Sequence, residues 1–172
     1  MKKLILVFFA ILIATLTVQA SPRWEKTHFN VYIEDNPKIY IMKKAFGRWQ
    51  MVTNKFVSFT FTDNAEQADI TADFVEQLPG RAVGLCETKY VTVKQNDANY
   101  TKISKAKIHL ANKNLYERIL TDDEYYRVML HEIGHAIGLP HSDKLNSIMR
   151  PYSNNITNIS LDDRRALENL YK

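Results

Sequence analysis

The sequence predicts an α+β domain built on a partly parallel sheet, and three patterns lead to that expectation. Apolar residues alternate at Phe29, Val31 and Ile33, the two-residue period of a half-buried strand. Ile39, Met42, Phe46, Trp49 and Val52 then recur at steps of three and four, which gives a helix one apolar face. A further alternation at Ile70, Ala72 and Phe74 marks a strand over 69–75. Strand, helix and strand in that order suggest a crossover unit, and crossovers join parallel strands.

The remaining elements come in chain order. Asp35, Asn36 and Pro37 form a turn that opens the first helix. A strand over 56–61 comes after that helix, ahead of the strand at 69–75. Pro79 and Gly80 break the chain, after which 82–87 and 106–111 read as strands. The polar stretch 88–105 between them reads as a loop, with local pairing left open at 90–93. The helix over 121–137 carries the fullest signals. Thr121 caps its first turn, and Glu124, three residues on, can reach back to complete a capping box. Asp122 and Asp123 add negative charge where the helix dipole favours it, and Gly138 ends the helix. A last helix runs over 161–171, with Ser160 as cap, Asp163 three residues later, and Leu161, Leu167 and Leu170 as its inner face.

The chain of 172 residues has room for one domain, and 45% hydrophobic with 24% charged residues is ordinary globular composition. The first twenty residues stand apart. Lys2 and Lys3 precede an apolar run over 4–16 broken only by Thr15, and small residues come next at Val18 and Ala20. This is the pattern of a secretory leader cleaved after Ala20, leaving 21–172 as the domain. A membrane span takes about 20 apolar residues, more than this run offers. A secreted product, extracellular or periplasmic, is therefore expected. Loss of Lys2 and Lys3 with no acidic residue takes the formal charge from +4 to +2. With no dense basic run either, no nucleic-acid partner is expected. The single Cys86 cannot form an internal disulfide and is expected to be buried as a small hydrophobe. Asn99, Asn155 and Asn158 each begin an Asn-x-Ser/Thr triplet.

The chemistry concentrates in one segment, His131-Glu132-Ile133-Gly134-His135-Ala136-Ile137-Gly138-Leu139-Pro140-His141. Residues four apart share a helix face, so His131 and His135 can meet one metal ion. A continuing helix would carry His141 away, but Gly138 allows a sharp turn and Pro140 stiffens the chain beyond it. His141 can then swing back as a third ligand. Three histidines leave one of zinc's four positions open to water, the arrangement of a catalytic site. Glu132 lies about 100° round the helix from His131, placed to take a proton from that water without competing for the metal. Peptide hydrolysis uses all of these parts. Five fixed letters at these offsets coincide by chance at fewer than roughly one position in a million, which favours function heavily over incidental histidines.

This segment, together with a methionine turn after it, resembles the metzincin signature. Ser142 after the third histidine and Ser147-Ile148-Met149-Arg150-Pro151 resemble the matrixin branch, the matrix metalloproteinases. Pro22 to His28 is similar to the start of a matrixin catalytic domain, Ala68-Asp69-Ile70 to its third strand, and 161–171 to its closing helix. The resemblance implies a metzincin-like fold, a five-stranded mixed sheet with three helices and one catalytic zinc in a cleft. It implies that extended polypeptide substrates pair with the strand at 82–87 by β-augmentation. It also implies that Met149 forms an apolar floor beneath the metal and that Pro151 belongs to the wall of the primary specificity pocket. Arg127 stands where matrixins set the depth of that pocket. It either shortens the pocket or is a surface arginine.

The departures from the family are as informative. Matrixins hold a second, structural zinc and several calcium ions between the third and fifth strands. Here the His and Asp companions are missing around 76–87. His109 is expected to be an ordinary strand histidine, with one zinc and no dependable structural zinc or calcium site. A monomer is the expected state. A zinc-holding module without turnover would be expected to lose its base, whereas Glu132 is present, and an adhesion domain would bind no stoichiometric zinc.

Overall fold

The computed structural model describes residues 22–95, 98–151 and 155–172. The leader expected over 1–20 lies outside the described residues. Among these residues five strands and three helices occur in the order β1 (His28–Ile33), α1 (Ile39–Val52), β2 (Ser58–Phe61), β3 (Ile70–Val75), β4 (Gly84–Gln95), β5 (Ala98–Ala111), α2 (Asp122–Ala136) and α3 (Leu161–Leu170). The strands form one mixed sheet in the order β2-β1-β3-β5-β4. β1 is parallel to both β2 and β3, β3 is parallel to β5, and only β4 runs antiparallel. The crossover expected from the first strand, helix and strand is therefore present, with α1 joining β1 to the neighbouring β2. Among the described residues, no helix is long and apolar enough to cross a membrane.

One expectation fails. The stretch 88–105 is not a loop, because β4 and β5 pair from Gly84↔Leu110 to Gln95↔Ala98 with one register shift between Lys89 and Tyr90. Its outer half is largely exposed, so apolar alternation is weak there. The β-forming residues Thr88, Tyr90, Val91, Thr92, Val93, Tyr100 and Thr101 carry the strand instead. Leu161 is a second correction. It is 56% exposed, whereas Leu167 is fully buried. Six residues at 100° each put the two leucines about 120° apart by the shorter way round, so Leu161 falls outside the stripe centred on Leu167.

Both long helices pack on the sheet and on each other. Met42, Ala45, Phe46 and Trp49 of α1 are fully buried, as are Met129, Leu130 and Ile133 of α2. Each large apolar side chain buried in this way contributes about 1.5–3 kcal/mol. Two tryptophans add direction to this packing. Trp49 Nε1 donates to the Leu130 carbonyl at 2.9 Å, and Trp24 Nε1 donates to the Ala136 carbonyl at 2.8 Å. They hold α2 near both ends of the stretch that carries His131 and His135.

The N-terminus of α2 is locked as its sequence suggests. Thr121 and Glu124 form the reciprocal capping box, and Arg118 grips both Glu124 oxygens, at 2.6 and 2.9 Å. The Arg118 guanidinium and then the Thr121 backbone N–H hold the Glu124 carboxyl down at about 2, against its ordinary 4.5. A depressed carboxyl contributes stability that is complete above the ordinary value and disappears as pH falls towards the folded value. Wild type should therefore exceed Glu124→Gln in urea-unfolding stability above pH 4.5, and the difference should close as pH falls towards about 2. A pH-independent difference would show that this carboxylate makes no such contribution.

Candidate metal centre

His131 and His135 leave α2 on one face, one turn apart. Gly138 then adopts a φ of 103°, a conformation that L side chains rarely take, and the helix stops. The chain turns through Leu139 and Pro140 and brings His141 back over the other two rings. Ring centroids are 4.7 Å apart for His131–His135 and His135–His141, and 5.3 Å apart for His131–His141. One ligand nitrogen from each histidine lies within 4.8 Å of the others.

The hydrogen bonds decide what these nitrogens can do. His131 Nδ1 meets the Ile148 carbonyl oxygen at 2.7 Å, and His135 Nδ1 meets the Leu139 carbonyl oxygen at 2.8 Å. A carbonyl only accepts, so each Nδ1 carries the proton and each Nε2 presents a lone pair. Those two Nε2 atoms stand 3.1 Å apart. Two bare acceptors repel at that distance, whereas a cation bound by both reverses the sign. Tetrahedral zinc with nitrogens at about 2.0–2.1 Å spaces them roughly 3.3 Å apart, so the donor set fits zinc. Burial lowers the pKa of both rings, that of His135 to about 4, and keeps them neutral as metal ligands must be.

Glu132 is buried, at 7% exposure, and faces the cleft. Burial raises its carboxyl to about 7, a value that a neighbouring cation would pull down again. No described residue donates a hydrogen bond to it, which leaves both oxygens available to a ligand or water. Gly84 on β4 makes room for it. A Cβ at residue 84 would lie 2.6 Å from Glu132 Oε1 and 2.5 Å from Val128 Cγ1, so only glycine lets strand and helix come this close.

Met149 is buried at 1% exposure under α2, where a Cβ on Gly134 would lie 2.3 Å from its sulfur. The turn that carries it is tied on both sides. Ser142 N donates to the Met149 carbonyl at 2.9 Å, anchoring the chain just after His141. Asp163 of α3, buried at 2% exposure, accepts from the Ile148 backbone N–H at 3.1 Å and from the Ser147 hydroxyl. It also closes the capping box with Ser160. A continuous path therefore runs from Asp163 through Ile148 to His131. The Ser160–Asp163 cap is legible in the sequence, but its second task is not, since it depends on tertiary contact.

Arg127 and Pro151 both line the cleft, and Arg127 donates to Asn155 Oδ1 at 3.2 Å. Cys86 also lines it, half-buried rather than buried, with its thiol pKa pushed up by burial. His109 lies between two carboxylates, Nδ1 at 2.6 Å from Asp73 Oδ1 and Nε2 at 3.4 Å from Glu87 Oε2. These carboxylates occupy opposite ring nitrogens and do not converge with the ring on one point.

Replacing Asp163 with Ala removes the acceptor of the Ile148 N–H, at about 1–3 kcal/mol, and the bond from the Ser147 hydroxyl. Loss of a group that orients a ligand typically weakens metal affinity about 10–100-fold. Asp163→Ala should therefore lower both urea-unfolding stability and zinc affinity, the latter read by chelator competition. Unchanged zinc affinity would disconnect Asp163 from His131.

The sequence profile of a family described as matrixin matches residues 23–172. The chain is 28% identical over 182 residues to interstitial collagenase of Equus caballus, covering 89% of this chain and 34% of that protein. It is 31% identical over 137 residues to matrix metalloproteinase-21 of Mus musculus, covering 77% of this chain and 23% of that protein. To stromelysin-1 of Mus musculus it is 27% identical over 168 residues, covering 90% of this chain and 34% of that protein. It spans about a third or less of the length of these relatives. With the profile matching nearly all of the described residues, and with three histidines converging behind a methionine turn, the chain belongs to the matrixin family.

Proposed function

We propose that the chain is an exported zinc metalloendopeptidase that hydrolyses internal peptide bonds of extended polypeptides. One observation carries the reading above all others. A buried carboxylate with no donor among the described residues, Glu132, stands beside three converging imidazoles, two of which are held neutral. Family membership supports the same reaction.

His131, His135 and His141 would hold the ion. When bound, zinc supplies Lewis acidity towards a water and towards the scissile carbonyl oxygen. Glu132 accepts a proton from the attacking water and later delivers it to the departing amine nitrogen, so one group acts as base and then as acid. Burial favours proton uptake by this carboxyl and proximity to a bound cation favours its release, so the two act in opposite senses on one group. The Ile148 and Leu139 carbonyls keep the ligand rings oriented throughout. β4 is an edge strand, and its free side borders a cleft of about 880 Å³. That edge offers an extended substrate its backbone hydrogen bonds. Met149 serves as the floor beneath the ligands. Pro151 forms part of the pocket wall, and Arg127 shortens the pocket. The leader at 1–20 directs export, and the product acts as a monomer.

A quenched-peptide assay on residues 21–172 tests the reaction. Activity should vanish with a chelator and return with zinc, and Glu132→Ala should lower kcat/KM by at least about 10²-fold. Activity that survives both treatments would reject the mechanism. In the same assay, a preference for large side chains just after the scissile bond would count against Arg127 as the pocket's limit.

A further inference from the structure

Four arginines line the cleft, Arg81, Arg118, Arg127 and Arg150, against two carboxylates, Glu124 and Glu132. Arg81, Arg118 and Arg127 lie towards the end where β5 stops and α2 starts. Arg81 precedes β4 close to the point where Val83 pairs with Ala111, the last residue of β5. Arg118 belongs to the segment leaving β5 and grips Glu124 in the first turn of α2. Arg127 lies one turn before His131 and donates to Asn155 Oδ1, and Arg150 comes two residues after Ile148, whose carbonyl meets His131 Nδ1. The opposite end is apolar. Pro22, Ile103 and Leu139 line it, and Ile103 packs close to Gly138 where α2 stops.

Two of these cations, Arg81 and Arg150, have no counter-ion from within the cleft among the described residues. Both Glu124 oxygens are taken by Arg118, and Glu132 is occupied by the chemistry proposed above. Among the described residues, no carboxylate forms an ion pair with Arg81 or Arg150; Arg150 is half-buried and Arg81 is exposed at the cleft's rim. Arg150, partly removed from water and without a counter-ion, favours an anion, the planar fork of a guanidinium suits a carboxylate, and Arg81 adds a second positive charge at the rim. Substrate is what enters this space.

We infer that the cleft selects polypeptides with an acidic side chain on one side of the scissile bond, its carboxylate received by Arg81 and Arg150. The opposite end takes neutral or apolar side chains. The inference rests on the endopeptidase reading and adds a substrate class to it. Because the attraction is between charges in an open cleft, it weakens as salt is added.

The test uses the zinc-loaded protein and neutral peptides carrying Glu, Gln or Lys at each position on either side of the cleaved bond. Glu and Gln share a shape, so their ratio isolates charge. At low salt, Glu should exceed Gln by about two- to fivefold in kcat/KM on one side of the bond only, with Lys below both. The ratio should fall towards one as salt rises. Arg81→Gln and Arg150→Gln should each reduce the ratio, which is read within a single variant and so is insensitive to how much of it folds. Arg81→Glu should shift the preference towards Lys. Equal cleavage of Glu, Gln and Lys peptides by wild type overturns the inference and leaves hydrolysis standing. A ratio that is unchanged in every variant overturns the assignment to these arginines. Failure to cleave any peptide overturns the endopeptidase reading and the inference with it.

Discussion

The structure depends on holding two imidazole nitrogens 3.1 Å apart with their lone pairs facing each other. Nothing in the rings themselves favours that approach. It is imposed by two backbone carbonyls, those of Ile148 and Leu139, which take the Nδ1 protons and so decide which nitrogen faces inward. Each carbonyl is itself fixed by tertiary structure. Leu139 comes directly after the left-handed Gly138, with its own N–H bonded to Gly134, and Ile148 hangs from the buried Asp163. The sheet, the two tryptophans and the closing helix converge on these few atoms.

The same economy governs Glu132. A carboxylate at 7% exposure with no donor among the described residues is costly unless something in the cleft compensates for it. The fold keeps it there by bringing β4 against α2 at a residue with no side chain, Gly84. Strand and helix are thus joined beside the converging imidazoles, and the open sheet edge is held next to the buried carboxylate. Stability is given up at this point in return for a carboxylate that no described residue masks.

Much of this is legible in the sequence, because the signals are local. The capping box at Thr121 and Glu124, the helical spacing of His131 and His135, and the turn at Gly138 each arise from a few adjacent residues. The outer hairpin is not legible, since its strands are largely wetted and leave little apolar alternation to read. Leu161 misleads because a leucine six positions away suggests a common face that helical geometry denies. Asp163, Gly84 and the carbonyls of Ile148 and Leu139 leave no such local mark. Their roles arise from contacts between segments distant in the chain, or from backbone atoms that every residue possesses.

The length of β4 has a further consequence. A strand of twelve residues with one side unpaired among the described residues can template a second copy of the same chain. Exposed Glu87, Lys89 and Lys94 interrupt that strand, and the irregularity at Lys89 and Tyr90 keeps it from lying flat. Charge and kink together discourage edge-to-edge association along that open edge.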